Sequence, residues 1–246
     1  AGLLGIGGGL IIVPVLAVLF ASLGFNTETL MHFAIGTSLS TIVFTSISSM
    51  WSHHQREAVL WPVVSAMTPG IVLGALAGAL LAAFISSSGL GRFFGVFEIL
   101  VAAQLIFGSQ PASHQALASR LMQSLAGVMI GFLSAILGIG GGTLTVPYLV
   151  WHRVDIRQAV GTAAACGLPV ALAGAAGFMV AGLDVQSDPE FSTGFIYWPA
   201  ALAITVVSVL FAPLGAWLAH TLPREILRRG FALLLLLLGL KMLFGI

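Results

Sequence analysis

The sequence predicts an all-α protein that crosses a membrane several times. Of its 246 residues, 59% are hydrophobic and 7% are charged, whereas a soluble domain carries about 25% charged residues. Asp, Glu, Lys and Arg are absent from four stretches, which are residues 58–91, 121–152, 158–183 and 191–223. Each stretch exceeds the roughly 20 residues that a helix needs to cross a bilayer, which indicates a polytopic helical membrane protein.

A glycine-rich motif that occurs twice divides the chain into two repeats. Residues 5–16 read GIGGGLIIVPVL and residues 138–149 read GIGGGTLTVPYL. Each glycine costs a helix roughly 1 kcal/mol relative to alanine, and the proline that follows disfavours helix at the valine before it. Both motifs are therefore predicted to break a helix. Breaks at matching positions in two halves of a membrane protein indicate a transport site.

The first repeat, residues 1–108, is predicted to hold four hydrophobic segments. They cover residues 1–23, broken at the glycines, and then residues 30–51, 60–85 and 93–107. The second segment carries many serines and threonines, most of which we interpret as packing residues, because their hydroxyl groups can bond to the carbonyl one turn earlier. In the third segment Gly70, Gly74 and Gly78 form a ridge of small residues, which favours close packing against another helix.

The second repeat, residues 115–246, follows the same order. AVGT at residues 159–162 matches AIGT at residues 34–37, and from Trp198 onward the match to Trp61 continues without a gap. Such self-similarity indicates a duplicated structural unit. A long apolar segment precedes the second glycine motif, whereas the first motif begins almost at residue 1. We therefore expect that a helix preceding the first motif is truncated.

Two membrane topologies are compatible with the duplication. If each broken segment crosses the membrane once, the repeats are parallel, and six of the nine Lys and Arg residues share one side. If the segment around Gly138 is instead a re-entrant hairpin, the second repeat is inverted, and seven of the nine share a side. The positive-inside rule favours the second arrangement, so we expect inverted repeats.

The glycine motifs are the candidate binding site for a small anion. Glycines leave consecutive backbone N–H groups exposed, and a half-helix that begins after them adds the positive end of its dipole. Such a site holds an anion near the bilayer midplane without burying a costly arginine, and nearby hydroxyl groups add neutral donors. The alternative is that the glycines only let helices pack closely. The predicted substrate-binding residues are Gly7, Gly8, Gly9, Gly140, Gly141, Gly142, Thr143, Thr37, Ser38 and Thr162.

Glu98 is the one carboxylate deep in a predicted span. An ionisable residue inside a membrane is a functional candidate by default, here for proton coupling, although its counterpart in the second repeat is Leu235. The six histidines lie in loops or at the ends of spans and lack the paired spacing of a metal site. We interpret them as interfacial anchors, and the single cysteine, Cys166, as a small packing residue.

Nucleotide binding and catalysis are not predicted. Glu28 does lie at the distance from the first motif that a dinucleotide fingerprint requires. The second motif has no such acidic residue, no strand pattern precedes either copy, and the only lysine, Lys241, follows neither glycine run. Ser–His–Asp and HExxH arrangements are also missing from the predicted spans. We therefore expect neither an enzyme nor a nucleotide-driven pump.

These motifs resemble the TauE/SafE family of sulfite exporters. The resemblance rests on the two glycine motifs, on AIGTS at residues 34–38, on AVGT at residues 159–162, and on the LPRE and LRR segments within residues 222–229. It implies a bacterial inner-membrane transporter that moves small sulfur-containing anions, such as sulfite or organosulfonates, outward. Two features depart from the pattern. Ala163-Ala164 stands where the first repeat has Ser38-Leu39, and the helix before Gly5 is absent.

The leading hypothesis is a secondary transporter that exports a small sulfur-containing anion and is driven by protons or by the membrane potential. The alternatives are a passive anion channel and a non-transporting membrane protein that acts in assembly. The expected partners are the anion and the lipid bilayer, and a homo-oligomer is left open. We expect no cofactor, no metal ion, no nucleotide and no nucleic acid.

Overall fold

The computed structural model describes residues 8–107, 117–185, 189–221 and 224–244. The helices in these ranges are α1 (Gly9–Ser22), α2 (Leu30–His54), α3 (Trp61–Ala82), α4 (Ser87–Phe107), α5 (Arg120–Leu137), α6 (Gly142–Trp151), α7 (Ile156–Ala181), α8 (Trp198–Thr221) and α9 (Arg224–Phe244). Between α7 and α8 lies a short antiparallel hairpin of β1 (Ser192–Thr193) and β2 (Ile196–Tyr197), in which Ser192 pairs with Tyr197.

The predicted class, an all-α polytopic membrane protein, is confirmed. Five of the described helices, α2, α3, α4, α5 and α7, are long and apolar enough to cross a membrane. Large apolar side chains such as Leu100, Leu121 and Leu237 are exposed. Exposed leucines fit a protein surrounded by lipid, because lipid tails are as apolar as leucine itself.

Helix α2 is the central element of the fold. Every residue from Leu30 to Ile42 is buried, and the helix packs against α1, α7 and α8. Aromatic rings surround its first turns: Phe25 and Phe195 each contact Phe33 edge to face, with ring centroids 5.4 and 5.6 Å away. The amino-terminal half of α2 is thus sealed in the hydrophobic core, while its carboxy-terminal half is free to border a cavity.

The predicted glycine ridge on α3 is confirmed as a helix-packing surface. A Cβ added at Gly70 or Gly74 would overlap a backbone carbonyl oxygen of α5, and one at Gly78 would lie 2.5 Å from the Phe132 oxygen. On the facing helix, a Cβ at Gly127 would lie 2.5 Å from the Met67 oxygen. The two helices approach so closely that only glycine fits between them.

Reciprocal contacts join the two repeats. The Thr37 hydroxyl accepts a hydrogen bond from the Tyr197 N–H at 3.0 Å, immediately before α8. The equivalent Thr162 hydroxyl accepts from the Leu60 N–H at 3.0 Å, immediately before α3. In addition, α2 packs on its counterpart α7, and α4 on its counterpart α9. A two-fold relation between the predicted repeats would produce such exchange; the division into repeats and their inversion relative to the membrane both stay predictions.

The second glycine motif separates two helices. Gly138 ends α5 in the left-handed conformation, with φ of 63°, and the Ile139 N–H donates to the Ser134 oxygen at 3.0 Å, which is a Schellman cap. Helix α6 then begins at Gly142 and runs for only 10 residues. At 1.5 Å per residue it spans about 15 Å, half of the roughly 30 Å hydrocarbon core.

The two motif prolines do not interrupt a helix, contrary to expectation. Pro14 lies inside α1 and Pro147 inside α6. Membrane helices tolerate proline where neighbouring helices and local adjustments satisfy the freed carbonyl. In the second motif the break is therefore made by the glycines alone. In the first, α1 begins at Gly9, and residues 5–7 lie outside the described residues.

Candidate functional site

The two glycine motifs meet at a cavity of about 70 Å³. A single water needs about 10–15 Å³ on this scale, so the space accommodates an ion of several heavy atoms. The cavity lies between the glycine breaks, the carboxy-terminal half of α2 and the amino-terminal half of α7. Its lining consists of Gly8, Ile42, Thr45, Ser46, Ser49, His53, Gly140, Gly141, Gly142, Val160, Ala163, Ala164 and Gly167.

The cavity glycines are not required for helix packing. Gly141 has φ of −54°, which any residue adopts. A Cβ there would lie 3.3 Å from the Thr145 Oγ1, and one at Gly140 would lie 3.4 Å from the Ile42 Cγ2. At Gly8 the nearest atom is the Ile12 Cδ1, also 3.3 Å away. Each of these nearest neighbours is a side-chain atom, and the nearest backbone atom to the Gly141 Cβ position is the Gly167 nitrogen, 3.6 Å away. Close backbone contact therefore does not force glycine at these positions as it does on the α3 ridge.

Other glycines of the same motifs have a packing role. A Cβ at Gly9 would lie 2.5 Å from the Gly138 oxygen and 2.7 Å from the Ile139 Cα. The two motifs therefore touch each other directly at Gly9 and Gly138. The Ser38 hydroxyl strengthens this contact by donating to the Gly138 oxygen at 2.8 Å. The motifs combine a packing function with a cavity-lining function in adjacent residues.

At the second break, several backbone N–H groups have no backbone acceptor in the described part of the chain. Within the described residues, the N–H groups from Gly140 to Leu144 donate to no backbone carbonyl, and the first one that does is the Thr145 N–H, which bonds to the Gly141 oxygen at 2.8 Å. The first four N–H groups of any helix lack an intrahelical partner and carry the positive end of its dipole. Gly140, Gly141 and Gly142 thus present a partial positive charge to the cavity.

Side chains of two helices complete the lining. On α2 the cavity residues follow helical spacing and include the hydroxyls of Thr45, Ser46 and Ser49, with His53 at the end of the row. On α7 the lining residues, from Val160 to Gly167, are small and apolar. None of the described lining residues is Asp, Glu, Lys or Arg. The site is therefore polar on one wall, apolar on the other, and free of fixed charge.

Sequence reasoning missed the α2 wall. We interpreted the serines and threonines of this span as packing residues and His53 as an interfacial anchor. The available signal was spacing, because Ser46, Ser49 and His53 recur at intervals of three and four residues and so share one face of a helix. The same face also contains Ile42, which lines the cavity too.

The predicted site residues divide into four groups. Gly8, Gly140, Gly141 and Gly142 line the cavity, whereas Gly7 lies outside the described residues. Gly9 packs against the other motif. The remaining predicted donors do not line the cavity: Thr37, Ser38 and Thr162 bond to backbone groups, and Thr143 is buried without a partner for its hydroxyl in the described part of the chain.

Glu98 lies apart from the cavity lining, where α4 and α9 cross. A Cβ at Gly95 would lie 2.7 Å from the Gly239 oxygen, and one at Gly239 would lie 3.1 Å from the Glu98 Cβ. Glu98 is fully buried, and neither carboxyl oxygen has a hydrogen-bond partner among the described residues. Its counterpart Leu235 is buried in the same helix pair, so packing alone does not call for a carboxyl group.

Comparison with known proteins identifies the family. A model of the sulfite exporter TauE/SafE family matches residues 1–242. A probable membrane transporter protein of Haemophilus influenzae is 35% identical over 244 residues, which cover 98% of this chain and 92% of that protein. A probable membrane transporter protein of Methanocaldococcus jannaschii is 28% identical, with 98% and 89% covered.

A more distant relative agrees. A probable membrane transporter protein of Bacillus subtilis is 25% identical, with 99% of this chain and 94% of that protein covered. No solved structure matches the chain significantly. The family model covers nearly the whole sequence, and the relatives match it along almost their full length. The chain belongs to the sulfite exporter TauE/SafE family and is a multi-pass membrane transporter.

Proposed function

We propose that this transporter exports a small sulfur-containing oxyanion, sulfite or an organosulfonate, and binds it at the two glycine breaks. The observation that carries the proposal is that the N–H groups of Gly140, Gly141 and Gly142 lie beside the cavity and donate to no backbone carbonyl of the described residues. A Cβ at Gly140 or Gly141 would have a side-chain atom as its nearest neighbour, at 3.4 and 3.3 Å, so close backbone packing does not account for these glycines. A hydrogen bond to a charged group contributes about 1.5–3 kcal/mol, so a few such donors offset part of the cost of dehydrating an anion.

The neutral lining suits a transport cycle. An arginine at the bilayer centre would bind an oxyanion tightly, but burying its charge between cycles is costly. Backbone dipoles at the start of α6 supply positive potential without a charge that must be compensated when the site is empty. The described cavity lining, which has no Lys or Arg, therefore favours binding that is reversible.

Glu98 is the proposed coupling residue. A buried carboxyl group without a hydrogen-bond partner in the described structure is rare and calls for an explanation. A lone carboxyl group can bind a proton without help from other residues, whereas a metal cation would need several oxygen ligands. Binding a proton at the α4·α9 crossing would let the proton gradient drive anion movement. The anion and proton sites would then be distinct.

Flux measurements test the proposed function. Purified protein in proteoliposomes is expected to carry sulfite or an organosulfonate down an imposed gradient faster than empty vesicles do. The Gly141→Val variant is expected to be inactive, because its branched side chain fills the cavity. Absence of flux for several sulfur anions with wild-type protein would refute the proposal. Conduction without accumulation against a gradient would instead assign a passive channel.

The coupling role of Glu98 is tested separately. Glu98→Gln keeps the size of the side chain and removes its ability to exchange a proton. We expect the variant to retain anion binding and to lose the pH dependence of flux. A variant whose flux varies with pH as in the wild type would exclude Glu98 from coupling. Ser65→Ala, at an exposed hydroxyl of α3, is the control variant, and its flux should vary with pH as in the wild type.

A further inference from the structure

We propose that Ser46, Ser49 and His53 form the side-chain half of the substrate site and contact the bound anion directly. This inference rests on the proposed function and extends it from the backbone donors to a set of specific side chains. All three residues line the cavity opposite the glycine break. Their spacing of three and four residues places them on one face of α2.

Ser46 and the glycine break border the same small space. A Cβ added at Gly167 on α7 would lie 3.0 Å from the Ser46 Oγ and 3.8 Å from the Gly141 nitrogen. Gly167 itself lines the cavity. An ion held by the Gly141 N–H is therefore within reach of the Ser46 hydroxyl. Ser46 is also 8% exposed, so the water available to this hydroxyl is that of the cavity.

The hydroxyls of Ser46 and Ser49 differ from those of the other residues on the same helix. Thr45, which also lines the cavity, donates to the Thr41 and Ile42 oxygens, both at 3.3 Å. Ser40 donates to the Thr37 oxygen and Thr41 to the Ser38 oxygen, both at 2.7 Å. Those bonds satisfy the hydroxyls within the helix itself. Ser46 and Ser49 make no such bond within the described residues. Ser46 is buried and Ser49 half-buried, and both line the cavity, so a water or a ligand in the cavity is the partner available to these hydroxyls.

The second repeat provides an internal control. Because α2 and α7 are continuous helices, the match of Thr37 to Thr162 extends along both. The counterparts of Ser46, Ser49 and His53 are then Ala171, Gly174 and Phe178, none of which has a polar side chain. A Cβ at Gly174 would lie 3.0 Å from the Leu39 Cδ1, so the equivalent region is packed. The repeat fold thus does not require polar groups at these positions.

The arrangement selects the chemistry of the ligand. Donors on two facing walls, N–H groups on the break and O–H or N–H groups on α2, suit an ion with several separate acceptor oxygens. An imidazole offers one N–H donor in either neutral tautomer, so His53 serves as a donor without carrying charge. A sulfite or sulfonate group places different oxygens against each wall.

Binding measurements on matched variants test the proposal. Purified full-length protein is titrated calorimetrically with sodium sulfite, using Ser46→Ala, Ser49→Ala and His53→Gln. Each variant is expected to weaken sulfite binding roughly ten- to a hundredfold, the range for one lost hydrogen bond to a charged group. Ser48→Ala, at an exposed position, and His54→Gln, whose Nδ1 accepts from the Trp61 Nε1, are the controls and should bind as the wild type does. Thermal melting of each variant checks that it is folded.

The outcomes separate this inference from the function on which it rests. If Gly141→Val abolishes sulfite binding while Ser46→Ala and Ser49→Ala bind sulfite normally, the side chains of α2 do not contact the anion. The proposed site at the backbone N–H groups would then be retained. If Ser48→Ala and His54→Gln lose as much affinity as the variants at Ser46, Ser49 and His53, direct contact between these side chains and the anion is also refuted. If wild-type protein neither binds nor transports sulfite or an organosulfonate, the proposed function fails and this inference fails with it.

Discussion

Glycines in two regions of this transporter have opposite surroundings. On the α3 ridge, a Cβ at Gly70 or Gly74 would overlap a backbone carbonyl of α5. At the cavity, a Cβ at Gly140 or Gly141 would meet nothing nearer than 3.3 Å, and its nearest neighbour is a side-chain atom. The ridge uses glycine to bring two backbones together. At the second break, we propose, glycine keeps backbone donors accessible to the anion.

The largest effect is expected on the ridge. Gly74→Val should prevent α3 and α5 from packing, because the obstructing Val128 oxygen is backbone and cannot rotate away. Overpacking a core costs about 1–3 kcal/mol or more. Here the overlap is with the backbone of α5 rather than with a side chain, so the two helices would have to move apart. We expect little monodisperse protein in detergent. Gly230→Val, at an α9 position with no neighbour within 4 Å, should purify normally.

Gly141→Val should separate binding from folding. The substitution introduces the same branched side chain as on the ridge, but the nearest atom is the Thr145 hydroxyl. We therefore expect a folded protein whose melting temperature lies within a few degrees of the wild-type value, a shift of about 1 kcal/mol or less, and no measurable sulfite binding. Unchanged affinity in this folded variant would refute the backbone-donor site.

Gly167→Ala should have an intermediate effect. Its methyl group would lie 3.0 Å from the Ser46 Oγ and 3.8 Å from the Gly141 nitrogen, inside the space assigned to the anion. We expect a folded protein with an apparent affinity about tenfold weaker, equivalent to about 1.4 kcal/mol. Concentration-dependent flux measures this. An affinity equal to that of the wild type would mean that the anion does not occupy the space beside Gly167.

The smallest effect on transport is expected at the reciprocal threonines. Thr37→Val or Thr162→Val leaves the Tyr197 or Leu60 N–H without its acceptor, which costs about 1–3 kcal/mol. We expect a lower melting temperature and an unchanged affinity for the anion. Thr205→Val, which removes only a bond to the Ala201 oxygen within α8, should melt close to the wild type. A loss of affinity for the anion without a loss of stability would mean that these threonines contribute to anion binding after all.

Local sequence patterns predicted the helices and their packing surfaces well. Uninterrupted apolar segments correspond to α2, α3 and α4, because helix formation in a membrane depends mainly on local composition and length. The four-residue spacing of Gly70, Gly74 and Gly78 predicted a helix contact, which α5 supplies. Gly8 and Gly140 were also predicted at the candidate site, and both line the cavity.

Long-range pairing explains what the sequence did not reveal. Thr37 lies in a duplicated motif, and only the fold shows that its hydroxyl meets Tyr197, far along the chain. Similarly, Ser40 and Ser46 are both serines in the same predicted span. The Ser40 hydroxyl bonds within its helix, whereas Ser46 lines the cavity. Which face of α2 is enclosed depends on where α7 and the glycine breaks are placed. The spacing of Ser46, Ser49 and His53 marks one face of α2, but no local pattern shows that this face borders a cavity.

Diffraction with a heavy analogue would locate the anion itself. Crystals of the protein grown with selenite, whose selenium scatters anomalously and whose shape matches that of sulfite, should show an anomalous peak in the cavity. We expect selenite oxygens within hydrogen-bond distance, roughly 2.7–3.2 Å, of the Gly141 N–H and the Ser46 hydroxyl. A peak located elsewhere, such as beside the α4·α9 crossing, with only water between Gly141 and Ser46, would contradict it.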